Sequence, residues 1–369
     1  MATGFVWHEL YMWHDTGNAA GFLPPGLTVQ PGDHFENPET KRRFKNLLDA
    51  CGVTEKLVAI APRAATRAEL ERVHTAAYLD RLESMSRNGG GDAGDLTPFG
   101  PDGFEIAKLS AGGAIALLDA VIDGRVRNGY ALTRPPGHHC RPDGAMGFCM
   151  LCNGAVAARH AMAAHGLKRI AFVDWDVHHG NGTQAAFYDD PSVLTISVHQ
   201  DGCYPPGESG LRHETGSGAG VGASLNIPLP PGCGTGAYQA AMERVILPAL
   251  ERFGPDLIVV SCGFDPGAND PLARMLLHSD SFRWMTARVM EAADRLCGGR
   301  LAMLHEGGYS APAVPYMGLA VIEQLAGIET GVTDPFLEIF QAQGHQELKP
   351  WQEAEIEAAA ALVDGVPIP

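Results

Sequence analysis

The sequence predicts an α/β domain built on a parallel sheet with helices on both faces. Short apolar runs at Tyr130–Thr133, Ile170–Val173, Val193–Val198, Leu257–Ser261 and Leu301–Leu304 have the length and unbroken hydrophobicity of strands buried on both sides. Helical stretches at Ala155–His165, Thr183–Tyr188, Gly236–Arg252 and Ser279–Cys297 lie between several of them, and such alternation is the pattern of a parallel sheet. Ligands in these folds bind outside the carboxyl ends of the strands, and that is where the ionisable residues of this chain gather.

Before the first run, residues 1–40 are rich in Gly, Pro and His and read as loops. Residues 66–86 read as one helix, with Thr66 as N-cap and Glu69 three residues on, as in a capping box. Asn88 to Gly94 reads as a loop, and residues 103–122 as a second helix. The glycine-rich stretch Gly216–Gly222 departs from G-x-G-x-x-G, so it reads as a loop before a Leu225–Pro228 strand rather than a nucleotide cradle.

The bulk numbers bound the function. The 369 residues, 45% apolar and 19% charged, are long enough to bury a large core. A net charge of −16 argues against direct nucleic-acid binding and favours cationic substrates. The N-terminus lacks a secretory pattern, and no stretch approaches the ~18 apolar residues of a membrane span. The eight cysteines read as free thiols of a cytoplasmic protein. Cys149 and Cys152 have C-x-x-C spacing, as in a redox motif or half a zinc site, but no second pair completes a Cys₄ site, so they read as thiols lining or packing near a site.

The strand ends carry the chemistry. Arg134-Pro-Pro-Gly-His138-His139 follows the first run, Asp174-Trp-Asp176-Val-His178-His179-Gly-Asn181 the second, His199 the third, Gly263-Phe-Asp265 and Asp270 the fourth, and Glu306-Gly-Gly-Tyr309 the fifth. Any one Asp or His beside a strand is more often a cap or a packed core residue, and His179, His199 and His305 fit that reading. Several ionisable groups buried together are costly unless paired or metal-bound. Asp176 and His178 are two apart and point to one side of an extended segment. With Asp265 they give a three-ligand metal site with open positions, the mark of a catalytic zinc. His138 and His139 suit general acid–base work, and the Tyr309 hydroxyl suits a developing oxyanion.

At these residues the sequence resembles the histone deacetylase-like amidohydrolases of the arginase/deacetylase superfamily. The resemblance rests on RPPGHH (134–139), GFCMLCN (147–153), DWDVHHGNGTQ (174–184), SVHQ (197–200), GFDPGANDPLARM (263–275) and EGGYS (306–310), in family order from about Gly103 to Gly327. It implies a single domain over residues 1–369, with a loop-rich N-terminal segment (1–40), a C-terminal tail (335–369) and a mostly parallel sheet of about eight strands. It implies one zinc on Asp176, His178 and Asp265, with His139 as acid–base, His138 as its electrostatic neighbour and Asp174 behind His138. Tyr309 polarises the carbonyl, Phe148 and Tyr204 wall an acyl-lysine tunnel, Gly147 lies at its floor, and Asp95 holds the substrate backbone at the rim. One structural potassium would use Asp174 and Ser197 with the carbonyls of Asp176, His178 and Val198. A second would use carbonyls near Phe187, Asp190, Val193 and Ala223. Asn181 stands where class I members have an aspartate and resembles class II, and Cys152 replaces a larger residue.

The function so implied is zinc-dependent hydrolysis of acetyl-lysine or related acyl amides, releasing acetate and a free amine. The alternatives are an acetylpolyamine amidohydrolase and a non-catalytic acyl-binding module. An arginase-like activity would need two manganese ions and more aspartate ligands. Leu272 stands at the tunnel mouth where polyamine-specific relatives carry a glutamate, which favours acyl-lysine. The implied partner is an acetylated amine, and a homo-oligomer remains open.

Overall fold

In the computed structural model, which describes residues 2–207 and 209–369, the apolar runs become the middle of one sheet. Its strands are β1 (Thr3–Val6), β2 (Val58–Ile60), β3 (Asn128–Ala131), β4 (Ile170–Asp174), β5 (Val193–Gln200), β6 (Ser224–Leu229), β7 (Leu257–Cys262) and β8 (Leu301–His305). The eight strands lie in the order β6-β5-β4-β7-β8-β3-β1-β2, and every neighbouring pair is parallel. This is the predicted fold class.

Side-chain alternation builds a core on each face. On β4, Ala171 and Val173 enter one core while Ile170 and Phe172 enter the other; on β7, Ile258 and Val260 oppose Leu257 and Val259. The first core is closed by the helices Glu39–Ala50, Ser279–Cys297 and Val314–Ala326. The second is closed by Ala76–Arg87, Gly103–Ile122 and Asn153–His165. Leaving β4, the chain adds β5 and β6 on one side and then returns to lay β7 on the other side of β4. The carboxyl ends of β4 and β7 therefore flank a topological switch point, the place where open α/β sheets form a crevice.

Three expectations are corrected. The loop-like N-terminal segment contains β1, an inner strand. Its four residues are too few to show a period, and at Gly4 an added Cβ would lie 2.5 Å from Ile60 Cδ1, so the strand packs where a side chain would not fit. Residues 66–86 form two helices, Arg67–Leu70 and Ala76–Arg87. The capping box at Thr66 and Glu69 is present, but the Thr75 N–H leaves the helix to donate to Pro142 O (2.9 Å), and the Thr75 side chain caps the second helix. The stretch 236–252 is interrupted by a π-helical turn at Met242–Ile246, just before Pro248, whose missing N–H cannot continue the ladder. The tail is docked as well: the helix Pro350–Ala360 packs on β6, and Arg244 ties it through Glu353 (2.8 Å) and Glu357 (2.5 Å). Gly216–Gly222 carries a 3₁₀ turn ahead of β6, as a connecting loop should.

A buried ion cluster ties the N-terminal segment to the end of β3. Arg134, fully buried, donates Nε to both oxygens of Glu36 (3.0 and 2.9 Å), Nη1 to the carbonyls of Tyr11 (3.2 Å) and His14 (2.6 Å), and Nη2 to the carbonyl of Glu36 (3.0 Å). Lys41 Nζ donates to the same carboxylate (2.9 Å). Burial alone would raise the Glu36 pKa, but Arg134 and Lys41 outweigh it and hold the carboxyl well below the usual range. Glu36→Ala leaves two buried cations without a counter-charge, so it should destabilise the fold by about 3–5 kcal/mol in urea unfolding. A loss within experimental error would show that this cluster does not anchor the segment.

Candidate active site

Directly after β4 the chain bends at Asp176–His178 rather than continuing extended, with Trp175 and Val177 sunk into the core and the Asp176 and His178 side chains facing each other at the crevice. His178 Nδ1 lies 3.0 Å from Asp176 Oδ1 and 3.1 Å from Asp265 Oδ2. Each carboxylate is fixed by a backbone donor. Asp176 Oδ2 accepts from Gly307 N (2.8 Å) and Asp265 Oδ1 from Val177 N (2.8 Å). The free oxygen of Asp265 is buried with no hydrogen-bond partner. Glycine is required at 307, because a Cβ there would sit 2.2 Å from Asp265 Oδ2 and 2.7 Å from Asp176 Oδ2.

Burial pushes Asp265 up to about 6, helped by the Asp176 charge. Burial also opposes ionisation of Asp176 and protonation of His178, yet facing charges win in both cases. His138 and His178 lower Asp176, and Asp265 and Asp176 raise His178. The pocket thus demands positive charge between the two carboxylates. An orphaned carboxylate oxygen, a cradle with no room for a side chain, and an O,O,N donor set all fit a metal ion.

The two histidines after β3 lie with ring centroids 4.0 Å apart and their planes tilted by 41°. His138 Nδ1 meets Asp174 Oδ2 at 3.0 Å, and the other Asp174 oxygen accepts from Asp176 N (3.0 Å). His139 Nδ1 meets Asn181 Oδ1 at 2.7 Å. Burial favours neutral His138, but Asp176 and Asp174 overcome it and raise this imidazole to about 10. Burial, then the charges of His138 and His178, lower His139 well below the ordinary histidine range. Asn181 adds no charge to reverse that. The adjacent rings are driven apart, one toward the charged form and one toward a neutral base.

A cavity of ≈ 300 Å³ opens beside them, lined by Phe148, Tyr204, Gly147, Leu272, Tyr309, His139 and His178, with Phe22, Asp95, Leu96, Cys203 and Pro206 around these. Gly147 and Phe148 both have left-handed backbones (φ 54° and 67°), and a Cβ at Gly147 would lie 2.4 Å from the His139 ring. This strained turn puts Phe148 edge-on to Tyr309 (5.8 Å). Tyr204 stands edge-on to His139 (4.9 Å), and its hydroxyl donates to Asp95 Oδ2 (3.0 Å). The Asp95 carbonyl accepts from Gly147 N (2.9 Å), which joins rim and floor. Tyr309 N donates to Asp270 Oδ2 (2.7 Å), whose other oxygen accepts from Leu272 N (2.8 Å). Burial, then Asp265 and Asp176, raise the Tyr309 phenol far above 10, so it stays a donor.

All the residues expected at the reacting centre and tunnel therefore meet at one crevice. Glu306 and Asp270, which had no expected role, also belong to the site. Glu306 Oε2 accepts from the N–H groups of Gly137 (2.7 Å) and His138 (3.1 Å) and so sets the histidine pair. Both follow strands, so the strand-end rule marks them. Phe22, Leu96, Cys203 and Pro206 come from irregular loops that carry no periodic signal.

The remaining expectations fall outside the cavity. Asp174 lies beside Ser197 in register, and Ser197 Oγ bonds His199 Nδ1 (2.9 Å). Around the second expected potassium position, the carbonyls of Phe187, Asp190 and Ala223 accept from the backbone N–H groups of Asp190, Val193 and Thr195. His179, His199 and His305 are packed and bonded within the core. Cys149 and Cys152 are fully buried free thiols that pack near the site without lining the cavity.

Comparison with known proteins gives a consistent result. The histone deacetylase domain family matches residues 34–325. The chain is 53% identical over 363 residues to a histone deacetylase-like amidohydrolase of Pseudomonas aeruginosa, covering 97% of this chain and 95% of that protein. It is 37% identical over 336 residues to a probable deacetylase of Archaeoglobus fulgidus, covering 89% and 88%. Among solved structures, the HDA15 HD domain superposes with a TM-score of 0.81 at 33% identity, covering 98% of this chain and 99% of that one. On its sequence, its sheet and the residues gathered at the switch point, the chain belongs to the histone deacetylase family.

Proposed function

We propose that the protein is a zinc-dependent amide hydrolase that removes acetyl or related acyl groups from lysine side chains. The carrying observation is the convergence of the Asp176, His178 and Asp265 donors, the neutral His139 and the Tyr309 phenol on one apolar-walled cavity. Asp176, His178 and Asp265 would hold the zinc, which when bound supplies Lewis acidity toward water and carbonyl.

The chain's own residues account for the rest. Phe148 and Tyr204 hold an extended aliphatic side chain between two aromatic walls, and Asp95 meets the substrate backbone at the rim. His139 accepts a proton at Nε2 from the attacking water, its Nδ1 being engaged by Asn181. As the water oxygen bonds the acyl carbon, Tyr309 donates its hydroxyl to the carbonyl oxygen on which charge develops. The C–N bond then breaks, the protonated histidine gives its proton to the departing amine, and acetate leaves. Glu306 and Asp174 keep the pair oriented through the cycle.

Structural potassium at Asp174 and Ser197, and near Phe187, Asp190, Val193 and Ala223, belongs to the same proposal. The adjacent register of Asp174 and Ser197 supports the first site. No helix among the described residues is long and apolar enough to cross a membrane. The eight free cysteines favour a reducing cytoplasm, and the charge of −16 disfavours nucleic acid as a partner.

Asp265→Ala is expected to abolish tight zinc binding, read by elemental analysis of the purified protein, together with activity. Full zinc content and full turnover in that variant would reject the ligand set. Tyr309→Phe is expected to keep fold and zinc but lose roughly 10²–10³ in kcat on an acetyl-lysine peptide. Wild-type turnover would remove Tyr309 from the reaction. Leu272 lines the cavity and offers no charge to a second substrate ammonium, so acetyl-lysine peptides should exceed acetylpolyamines in kcat/KM. Leu272→Glu should narrow that difference, and a wild type that prefers polyamines, unchanged by the substitution, would overturn the assignment of substrate class.

A further inference from the structure

We propose that Asp119, His160 and His165 form a second metal site, suited to a divalent first-row transition ion, on the far side of the fold from the catalytic cavity. Asp119 lies near the end of the helix Gly103–Ile122, and His160 and His165 lie in the last turns of the helix Asn153–His165. That second helix starts beside the catalytic histidines, where Gly137 packs on Asn153, and at 1.5 Å per residue its far end is about 18 Å away.

The geometry presents a hydrogen-bonding conflict that a cation resolves. His160 Nε2 lies 3.0 Å and His165 Nε2 lies 2.8 Å from one atom, Asp119 Oδ1. The opposite ring nitrogens also face carboxylates. His160 Nδ1 lies 3.1 Å from Glu69 Oε1 and His165 Nδ1 lies 3.6 Å from Asp123 Oδ1. A neutral imidazole has one N–H. If each ring turns its N–H to the outer carboxylate, three acceptors converge on a single point. If each turns it to Asp119, a bare nitrogen faces Glu69 or Asp123.

A dication bound by both Nε2 atoms and Asp119 Oδ1 relieves the conflict fully. Both Nδ1–H groups then turn to Glu69 and Asp123, the outer carboxylate support usual for metal-bound histidine. Arg63 already neutralises Glu69 through a two-pronged contact (2.8 and 2.5 Å), so the charge left for the ion is that of Asp119 and Asp123.

Two further observations point to a ligand. His160 Nδ1 is buried and makes no aligned hydrogen bond, although it is close to Glu69. The spacing also repeats that of the catalytic set, where His178 Nδ1 stands 3.0 and 3.1 Å from its two carboxylates. Two ligands of one tetrahedral zinc, each at about 2.0–2.1 Å, stand about 3.3 Å apart, so each His–Asp119 edge needs only a few tenths of an ångström of outward movement, and the three donor atoms all lie within 4.8 Å of one another. Imidazole and carboxylate donors select zinc, nickel or copper over magnesium or calcium. With Asp119 and His165 both a little over one-fifth exposed, the ion can enter from solvent and keep water in its open positions. Once bound it clamps two helices that pack side by side under the sheet.

The test removes the catalytic metal first. Metal-free Asp265→Ala protein is dialysed against micromolar zinc, and in parallel against nickel, and bound metal is measured by elemental analysis. One equivalent per chain and a rise in Tm are expected, both lost when His160→Gln and His165→Gln are added. In the otherwise native chain those two substitutions should lower zinc from two equivalents to one and leave deacetylase activity unchanged. If the double substitution lowers the metal-free Tm, Asp119→Asn serves as the second variant, with the same loss of metal expected. An Asp265→Ala chain that takes up neither zinc nor nickel, or uptake that persists without the two histidines and in Asp119→Asn, overturns the proposal.

Discussion

Two fully buried carboxylates, Asp176 and Asp265, face one histidine nitrogen across about a hydrogen-bond length, and much of the surrounding structure serves to make that tolerable. Unpaired charges in a protein interior are prohibitively costly. The fold answers with backbone N–H groups on one oxygen of each acid, a glycine at 307 that lets the backbone approach, and a cation-demanding gap between the others. The Asp176 charge, joined by that of Asp174, also holds His138 toward its protonated form, and this in turn helps keep its neighbour His139 neutral. One electrostatic constraint therefore fixes the three donors that could hold a metal ion and biases the protonation of the histidine pair.

The sheet makes that constraint possible. β4 and β7 become neighbours only because the chain reverses its direction of growth after β6, which brings Asp176 and His178 to the same edge as Asp265, almost ninety positions later in the chain. β8 then adds Glu306 and Tyr309, and β3 adds the histidine pair. A parallel sheet puts every carboxyl end on one side, so residues from four strands converge without any long loop. The tunnel is built differently. Its walls hang on the strained Gly147–Phe148 turn and on loops joined by Asp95, Tyr204 and Asp270. The scaffold sets the chemistry, and the loops set the shape of what can reach it.

The parallel α/β class, the five strands in the middle of the sheet and the polar residues at their ends can be read from the sequence alone. These signals are local. A buried strand must be apolar along its length, and a group of ionisable residues at successive strand ends has few explanations other than a shared site. Asp176, His178, Asp265, His138, His139 and Tyr309 were all legible on that ground. Features that depend on contacts between distant segments emerge only in the folded chain. β1 and β2 are too short to carry a period, and the break at Thr75 is dictated by a bond to Pro142. The loop residues of the cavity, the work of Glu306 on the histidine backbone, and the meeting of Asp119 with His160 and His165 involve partners tens to well over a hundred positions apart. No window of sequence contains both halves of such a contact, so its energetics exist only once the helices and strands are packed.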